Sequence, residues 1–222
     1  MRALVLLGIA VLWGANAVYA NPWPREDGDV FVALSGTYRY VSRSNSDEFD
    51  GSAYLEYGLT DKVTLGLSAN DNRIDYTHAY GFLRRSLSRP SRQLKIAASI
   101  GLGASRRDNT WGHMVRLGLS VGRPTRIWKP GWWSVTTAIE EHALWPDPIY
   151  KLDATFGLKL TPRLQTILDL EASQRSGSAD TITLRTSVAW AVREGSHLVI
   201  GLEAKEINET FLGLRIGWWR TF

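Results

Sequence analysis

The chain has 222 residues, with 26 basic and 22 acidic side chains, no cysteine, and a heavy load of 10 Trp, 8 Tyr and 20 Gly. Without cysteine there is no disulfide framework, no thiol chemistry and no lipid-modified amino terminus. Charges of both signs are scattered with no basic block, which argues against a nucleic-acid partner, while aromatics and glycines together point to β-structure.

Residues 1–20, MRALVLLGIAVLWGANAVYA, have the parts of a secretory signal: Arg2, an apolar stretch from Ala3 to Ala15, and a small-residue end at Val18-Tyr19-Ala20. The apolar stretch is short of the ~20 residues a spanning helix needs, which disfavours the rival reading of an uncleaved anchor. Cleavage after Ala20 is expected, which leaves 21–222 as one exported domain. No later apolar run reaches membrane-helix length.

Downstream, a period of two recurs. VFVALSGTYRYV sets Val30, Val32, Leu34, Tyr38 and Tyr40 against Phe31, Ala33, Ser35, Thr37 and Arg39. KVTLGLSAN sets Val63, Leu65 and Leu67 against Thr64, Gly66 and Ser68, and QLKIAASIGLGAS behaves alike. In each, one face is apolar and the other is glycine, hydroxyl or charge, the signature of a transmembrane β-barrel strand. The fold class expected is all-β: one antiparallel transmembrane barrel of about 12 strands, with ten or fourteen as neighbours. The candidates are 29–41, 51–59, 62–70, 76–86, 92–105, 111–122, 131–143, 149–160, 163–174, 181–193, 196–205 and 208–222. The fourth is the least regular, with Arg84 falling on the lipid face.

The connections LTDK (59–62), LTPR (160–163) and REGS (193–196), with the longer SLSRPSR and GRPTRIWKPG, fall on even-to-odd junctions and are assigned to the periplasm. The outer loops are then SRSNSDEFD, NDNRID, SRRDN, WPDP, QRSGSAD and KEIN, all short and polar. Aromatic girdles follow, with Tyr40, Tyr76, Trp111 and Tyr150 at outer strand ends and Tyr57, Phe82, Trp133, Trp190 and Trp218 at periplasmic ends. A secreted β-sandwich would need no rings at both rims. In the last strand Leu212, Leu214, Ile216 and Trp218 share a face and Phe222 follows. LGLRIGWWRTF resembles the carboxy-terminal strand by which outer-membrane barrels are recognised by their assembly machinery, which implies that Leu214, Ile216, Trp218 and Phe222 form an assembly signal. Arg220 departs from that pattern, and it can snorkel into headgroups. AYLEYGLTDKVTLGLSAN resembles a strand–turn–strand unit of Gram-negative outer-membrane transporter-like barrels, including the meta-pathway phenol-degradation group, which implies fold more than substrate.

No nucleotide loop, metal motif or nucleophile elbow is present, so no cofactor, metal or catalytic residue is expected. His78 and His113 are read as lipid-facing near outer strand ends, where an outer-membrane lipid hydrolase would act, but no lipid-facing serine stands beside either. The lumen is richer in charge. Folding the strands back on their turns sets Glu140 opposite Asp153 and His142 opposite Lys151. It then brings Lys151 and Asp153 beside Asp169 and Glu171, these to Arg185, and Arg185 to Glu203. The acidic cluster Glu140, Asp153, Asp169, Glu171 and Glu203 with Lys151 and Arg185 would then face Arg39, Arg116 and Arg215. Such a wall is either a field acting on permeating solutes or an ion-pair lattice. The function expected is passive passage of small hydrophilic or charged solutes across the outer membrane, with lipid and the assembly machinery as partners. A lipid-modifying enzyme and a structural barrel without an open pore are the rivals.

Overall fold

The computed structural model describes residues 22–41, 46–71, 76–107, 109–207 and 210–222, so the secretory signal expected at 1–20 lies outside the described residues. Twelve strands follow in order: β1 (Val30–Val41), β2 (Ser46–Thr60), β3 (Val63–Asp71), β4 (Tyr76–Ser86), β5 (Lys95–Arg107), β6 (Thr110–Arg126), β7 (Pro130–His142), β8 (Ile149–Thr161), β9 (Leu164–Arg175), β10 (Thr181–Arg193), β11 (Ser196–Glu206) and β12 (Thr210–Thr221). Each pairs antiparallel with its neighbours, and β1 closes on β12 from Phe31↔Thr221 to Tyr40↔Leu212. Closure leaves no ladder edge, the condition for strands to cross hydrocarbon. At the seam the backbone N–H of Phe222 donates to the carbonyl of Val30 (2.9 Å), so the final aromatic residue is part of the closing ladder.

Two-residue turns join β2 to β3, β8 to β9 and β10 to β11, the last with Gly195 at φ 68°, a left-handed conformation that favours glycine. These define a turn rim, and the opposite end is the loop rim. Several boundaries differ from the expected ones. β2 begins at Ser46, inside the stretch read as an outer loop, because Glu48 and Asp50 turn inward to Arg39. β6 runs to Arg126 and β7 starts at Pro130, which shrinks the expected long connection to residues 127–129.

The wall is apolar outside. Leu67, Leu102, Leu117, Ile200, Leu202, Leu212, Leu214 and Ile216 are all exposed. This is a surface that water would penalise and lipid accepts. Tyr40, Trp111 and Tyr150 near the loop rim, and Tyr57 and Trp190 near the turn rim, are exposed on it as well. The Trp218 indole N–H donates to the Ser196 hydroxyl at 2.8 Å. The side chain of Tyr76 lies outside the described residues.

β4 corrects the sequence reading. Its large rings look lipid-facing by hydropathy, yet Leu83 is exposed while Arg84 is buried, so the face carrying His78, Tyr80, Phe82 and Arg84 points inward. Phe82 is therefore not a girdle residue, and His78 and Arg84 are not lipid-facing. Arg84 sets the phase, because its guanidinium pairs with Glu56 at 2.6 Å inside the barrel, and hydrocarbon offers no such partner. Space is provided opposite. Phe82 pairs with Gly66, where a Cβ would lie 2.2 Å from the ring.

Candidate solute pathway in the lumen

The interior divides into two layers. Toward the turn rim Phe31, Ala33, Tyr54, Trp132, Ile167, Ala189, Val199 and Trp219 form an apolar cluster, with Trp23 and Phe82 packed against it. Trp132 fits because β8 presents Gly157, whose added Cβ would come within 2.2 Å of the indole. Above this floor lies a polar cavity of ≈ 360 Å³ that reaches from Ile149, Ser173, Thr181 and Ile207 at the loop rim down to Tyr54, Phe82 and Arg84. Twelve strands explain its size, since about eight are filled by their own side chains and sixteen or more leave a wide channel.

The expected charged residues do line this cavity, but they are interlaced with cations. Glu203, fully buried, accepts from both Arg39 and Arg185, the latter at 2.6 Å. Arg185 also reaches Glu171 at 2.8 Å, and Arg39 reaches Glu48 at 3.1 Å and Asp50 at 3.3 Å. Lys205 stands 3.8 Å from Glu48, and the Asn70 amide donates to Asp50 at 2.6 Å. On the other side Glu140 is held by Arg116, by Lys151 at 3.2 Å and by His142 at 3.4 Å, with Arg116 3.8 Å from Asp153. Asp153 and Glu171 are paired positions on β8 and β9, so the two networks meet there. Asp169 accepts from the Thr155 hydroxyl at 2.7 Å, and Arg215 donates to Ser35 at 3.0 Å. The five expected carboxylates and Asp50 line the cavity with Arg39, Arg84, Arg116, Lys151, Arg185, Lys205 and Arg215, close to balance.

One expected pairing is displaced. Glu140 lies opposite Ile149 rather than Asp153, and Lys151 lies opposite Ala138 rather than His142. The link is not a tight turn centred on WPDP. Ala143 donates its N–H to the His113 carbonyl and Trp145 donates to that of His142, so β7's end bends toward β6 before the chain returns. Lys151 still reaches Glu140 because its long stem spans the offset.

Sequence reasoning missed the pairing partners Glu48 and Asp50, read as loop, and a second ionic cluster deeper in the barrel. There Glu56 takes Arg84 at 2.6 Å, Arg25 at 2.5 Å and the Tyr54 hydroxyl at 2.6 Å. Arg25 had no signal, because it precedes any strand. It also missed Ser105, whose hydroxyl lies 2.9 Å from His142 Nδ1 while Nε2 faces Glu140. That order imitates a nucleophile–base–acid relay, but Ser105 is fully buried and no solute in the cavity can meet it. His113 is exposed on the outer wall and His78 lines the cavity, so the barrel wall separates the two histidines.

A closed twelve-strand wall, apolar outside and charged inside, is the architecture of a porin-like outer-membrane barrel. No family model and no curated protein matches the chain. Solved structures do. The KdgM porin superposes with TM-score 0.63 at 8% identity, covering 86% of this chain and 99% of that one. The NanC porin gives TM-score 0.63 at 10% identity over 84% of this chain and 98% of that one. An outer-membrane channel from Pseudomonas putida F1 gives 0.59 at 12% identity over 94% and 100%. The β domain of the Bordetella autotransporter BrkA also superposes, with TM-score 0.52 at 12% identity over 88% and 100%. At these identities the likeness is one of fold, and the lumen must supply the argument for function.

Proposed function

We propose that the protein is an outer-membrane channel for passive passage of small hydrophilic or charged solutes, with both ends of the mature chain in the periplasm. The observation that supports this most is the polar cavity of ≈ 360 Å³ reaching the loop rim, a space for water and small solutes where a structural barrel would be packed. The KdgM porin has been solved in complex with disordered oligogalacturonate, which supports the reading that a barrel of this fold takes a solute. The acidic cluster Glu140, Asp153, Asp169, Glu171 and Glu203, with Arg39, Arg116, Lys151, Arg185 and Arg215, forms a transverse arrangement of opposite charges along the path. It acts on dipolar and charged solutes as side-chain rings do in channels. No cofactor is needed for this passage. Lipid surrounds the wall, and the assembly machinery inserts the barrel through the strand ending in Leu214, Ile216, Trp218 and Phe222. The resemblance of residues 53–70 to the meta-pathway phenol-degradation group carries no solute with it.

The test is solute flux into liposomes and conductance in planar bilayers by the purified, folded barrel. Flux of small zwitterions that falls steeply with solute size supports the channel, whereas a folded barrel that admits no solute under any condition returns it to the structural reading.

A further inference from the structure

Residues 22–29, ahead of β1, form no strand, yet Pro22 to Arg25 are packed into the turn-rim mouth. Pro22 is fully buried and Arg25 is 6% exposed. We propose that this mouth is a binding site for the chain's own Pro22-Trp23-Pro24-Arg25 segment, and that the segment is a releasable plug closing the path below the cavity. The proposal rests on the channel reading.

Contacts from several strands seat the plug. The Arg25 guanidinium donates to Glu56 at 2.5 Å and lies 4.2 Å above the Phe31 ring, and its backbone N–H donates to the Thr64 hydroxyl at 3.1 Å. Arg84 donates to the Trp23 carbonyl at 3.3 Å. Gly28 and Asp29 exchange backbone hydrogen bonds with Gly58, each 2.9 Å. The barrel is cut to receive it at two places. A Cβ on Gly58 would lie 1.8 Å from the Glu26 carbonyl oxygen, and one on Gly122 would lie 2.8 Å from Pro22 Cγ and 3.0 Å from the Trp23 ring. Gly58 and Gly122 stand on β2 and β6, so the segment crosses the mouth between distant strands rather than extending the sheet.

The seat is also built to be vacated. Glu56 keeps Arg84 and the Tyr54 hydroxyl, each at 2.6 Å, when Arg25 leaves, so no lone buried charge is created. Arg25 itself gains water. Two prolines hold the segment extended whether docked or free, which lowers the ordering cost of rebinding. Glu26, Asp27 and Gly28 are exposed and provide a hinge, with Gly28 at φ 84°.

The experiment uses the full chain in planar bilayers. Trp23→Ala with Arg25→Ala removes contacts made by the plug and leaves the barrel wall intact. The ratio of conducting to closed states should rise about tenfold or more, the effect of losing one charge-assisted hydrogen bond. Pro22→Cys with Gly122→Cys introduces the chain's sole thiols. Oxidised, this form should stay closed, and a reductant should release it to a current at or above wild type, because the Cβ added at 122 crowds the Trp23 ring. Current in the oxidised form equal to wild type, or an unchanged ratio in the double alanine variant, overturns the plug while the channel stands. Silence of every variant, with heat-modifiable folding intact and position 23 open to labelling in a Trp23→Cys form, overturns both.

Discussion

Gly213 offers a decisive probe of the lumen network. It sits on β12 opposite Arg39 on one side and opposite Glu203 on the other, so the two charges meet across a residue with no side chain. A Cβ added there would lie 3.0 Å from Arg39 Cγ and 3.0 Å from Thr37 Cγ2, tighter than ordinary contact. Gly213→Val should therefore push the guanidinium off Glu203. Glu203 keeps Arg185, and Arg39 keeps Glu48 and Asp50, so neither charge is stranded. The loss is one charge-assisted hydrogen bond plus some crowding, about 2 kcal/mol. Reversible urea unfolding in lipid vesicles, followed by tryptophan fluorescence, measures it. Valine also favours strands, so the bare difference is ambiguous, and a double-mutant cycle removes the ambiguity. In a Glu203→Gln background the same substitution should cost less by about 1 kcal/mol or more, because the pair it breaks is already weakened. Equal cost in both backgrounds would refute the claim that Gly213 exists to let Arg39 reach across a strand.

Neutralising Asp169 and Glu171 together, as Asp169→Asn with Glu171→Gln, should shift reversal potentials toward anion preference with assembly intact, because it tips a near-balanced lining to the basic side. Unchanged selectivity with lowered stability would assign the cluster to structure. Thiols placed in residues 174–180 should label from outside intact cells and one at Lys129→Cys should not, and the reverse pattern would invert the orientation. Trp218→Asp, or loss of Phe222, should impair assembly, read as loss of the heat-modifiable band. The charge alone costs less than the roughly 2–4 kcal/mol of a basic residue at midplane.

The strands were legible because a barrel wall between lipid and water forces a period of two on every crossing. β12 shows it plainly, with Leu212, Leu214, Ile216 and Trp218 outside and Gly213, Arg215, Gly217 and Trp219 inside. β4 was not legible, because Tyr80 and Phe82 suit either lipid or an aromatic floor, and the choice depends on Glu56 two strands away. The cross-strand meeting of Arg185 with Glu203 and Glu171 follows from counting back over short turns. Counting failed at β7–β8, where the link bends asymmetrically. Contacts that skip a strand, such as Arg39 with Glu203, have no local signal, and neither does the docking of residues 22–29.

The contrast between the two layers bears on what the upper one is for. The lower lumen shows that this barrel can fill itself, with Phe31, Trp132, Ile167 and Trp219 packed against one another and glycine placed to admit the largest ring. Apolar filling of that kind is often as stable as buried ion pairs, or more so, because it avoids desolvating charge. If stability were the sole demand, the same solution would serve near the loop rim. Instead β1, β2 and β6 to β11 each contribute a charged side chain to the interior there, and hydroxyls at Thr37, Ser99, Thr136, Thr155 and Thr183 occupy positions between them. Those charges hold one another around a polar cavity of ≈ 360 Å³. Pairing fixes each side chain in place, so a solute meets an ordered set of dipoles rather than mobile charges that collapse onto it. Near-balance of sign then favours molecules carrying both charges over simple ions of either sign, since a zwitterion gains attraction at both ends and a lone ion loses at one what it gains at the other. On the channel reading the ion pairs are the walls of a passage, and the aromatic layer beneath, with Trp23 of the docked segment packed against it, is its constriction.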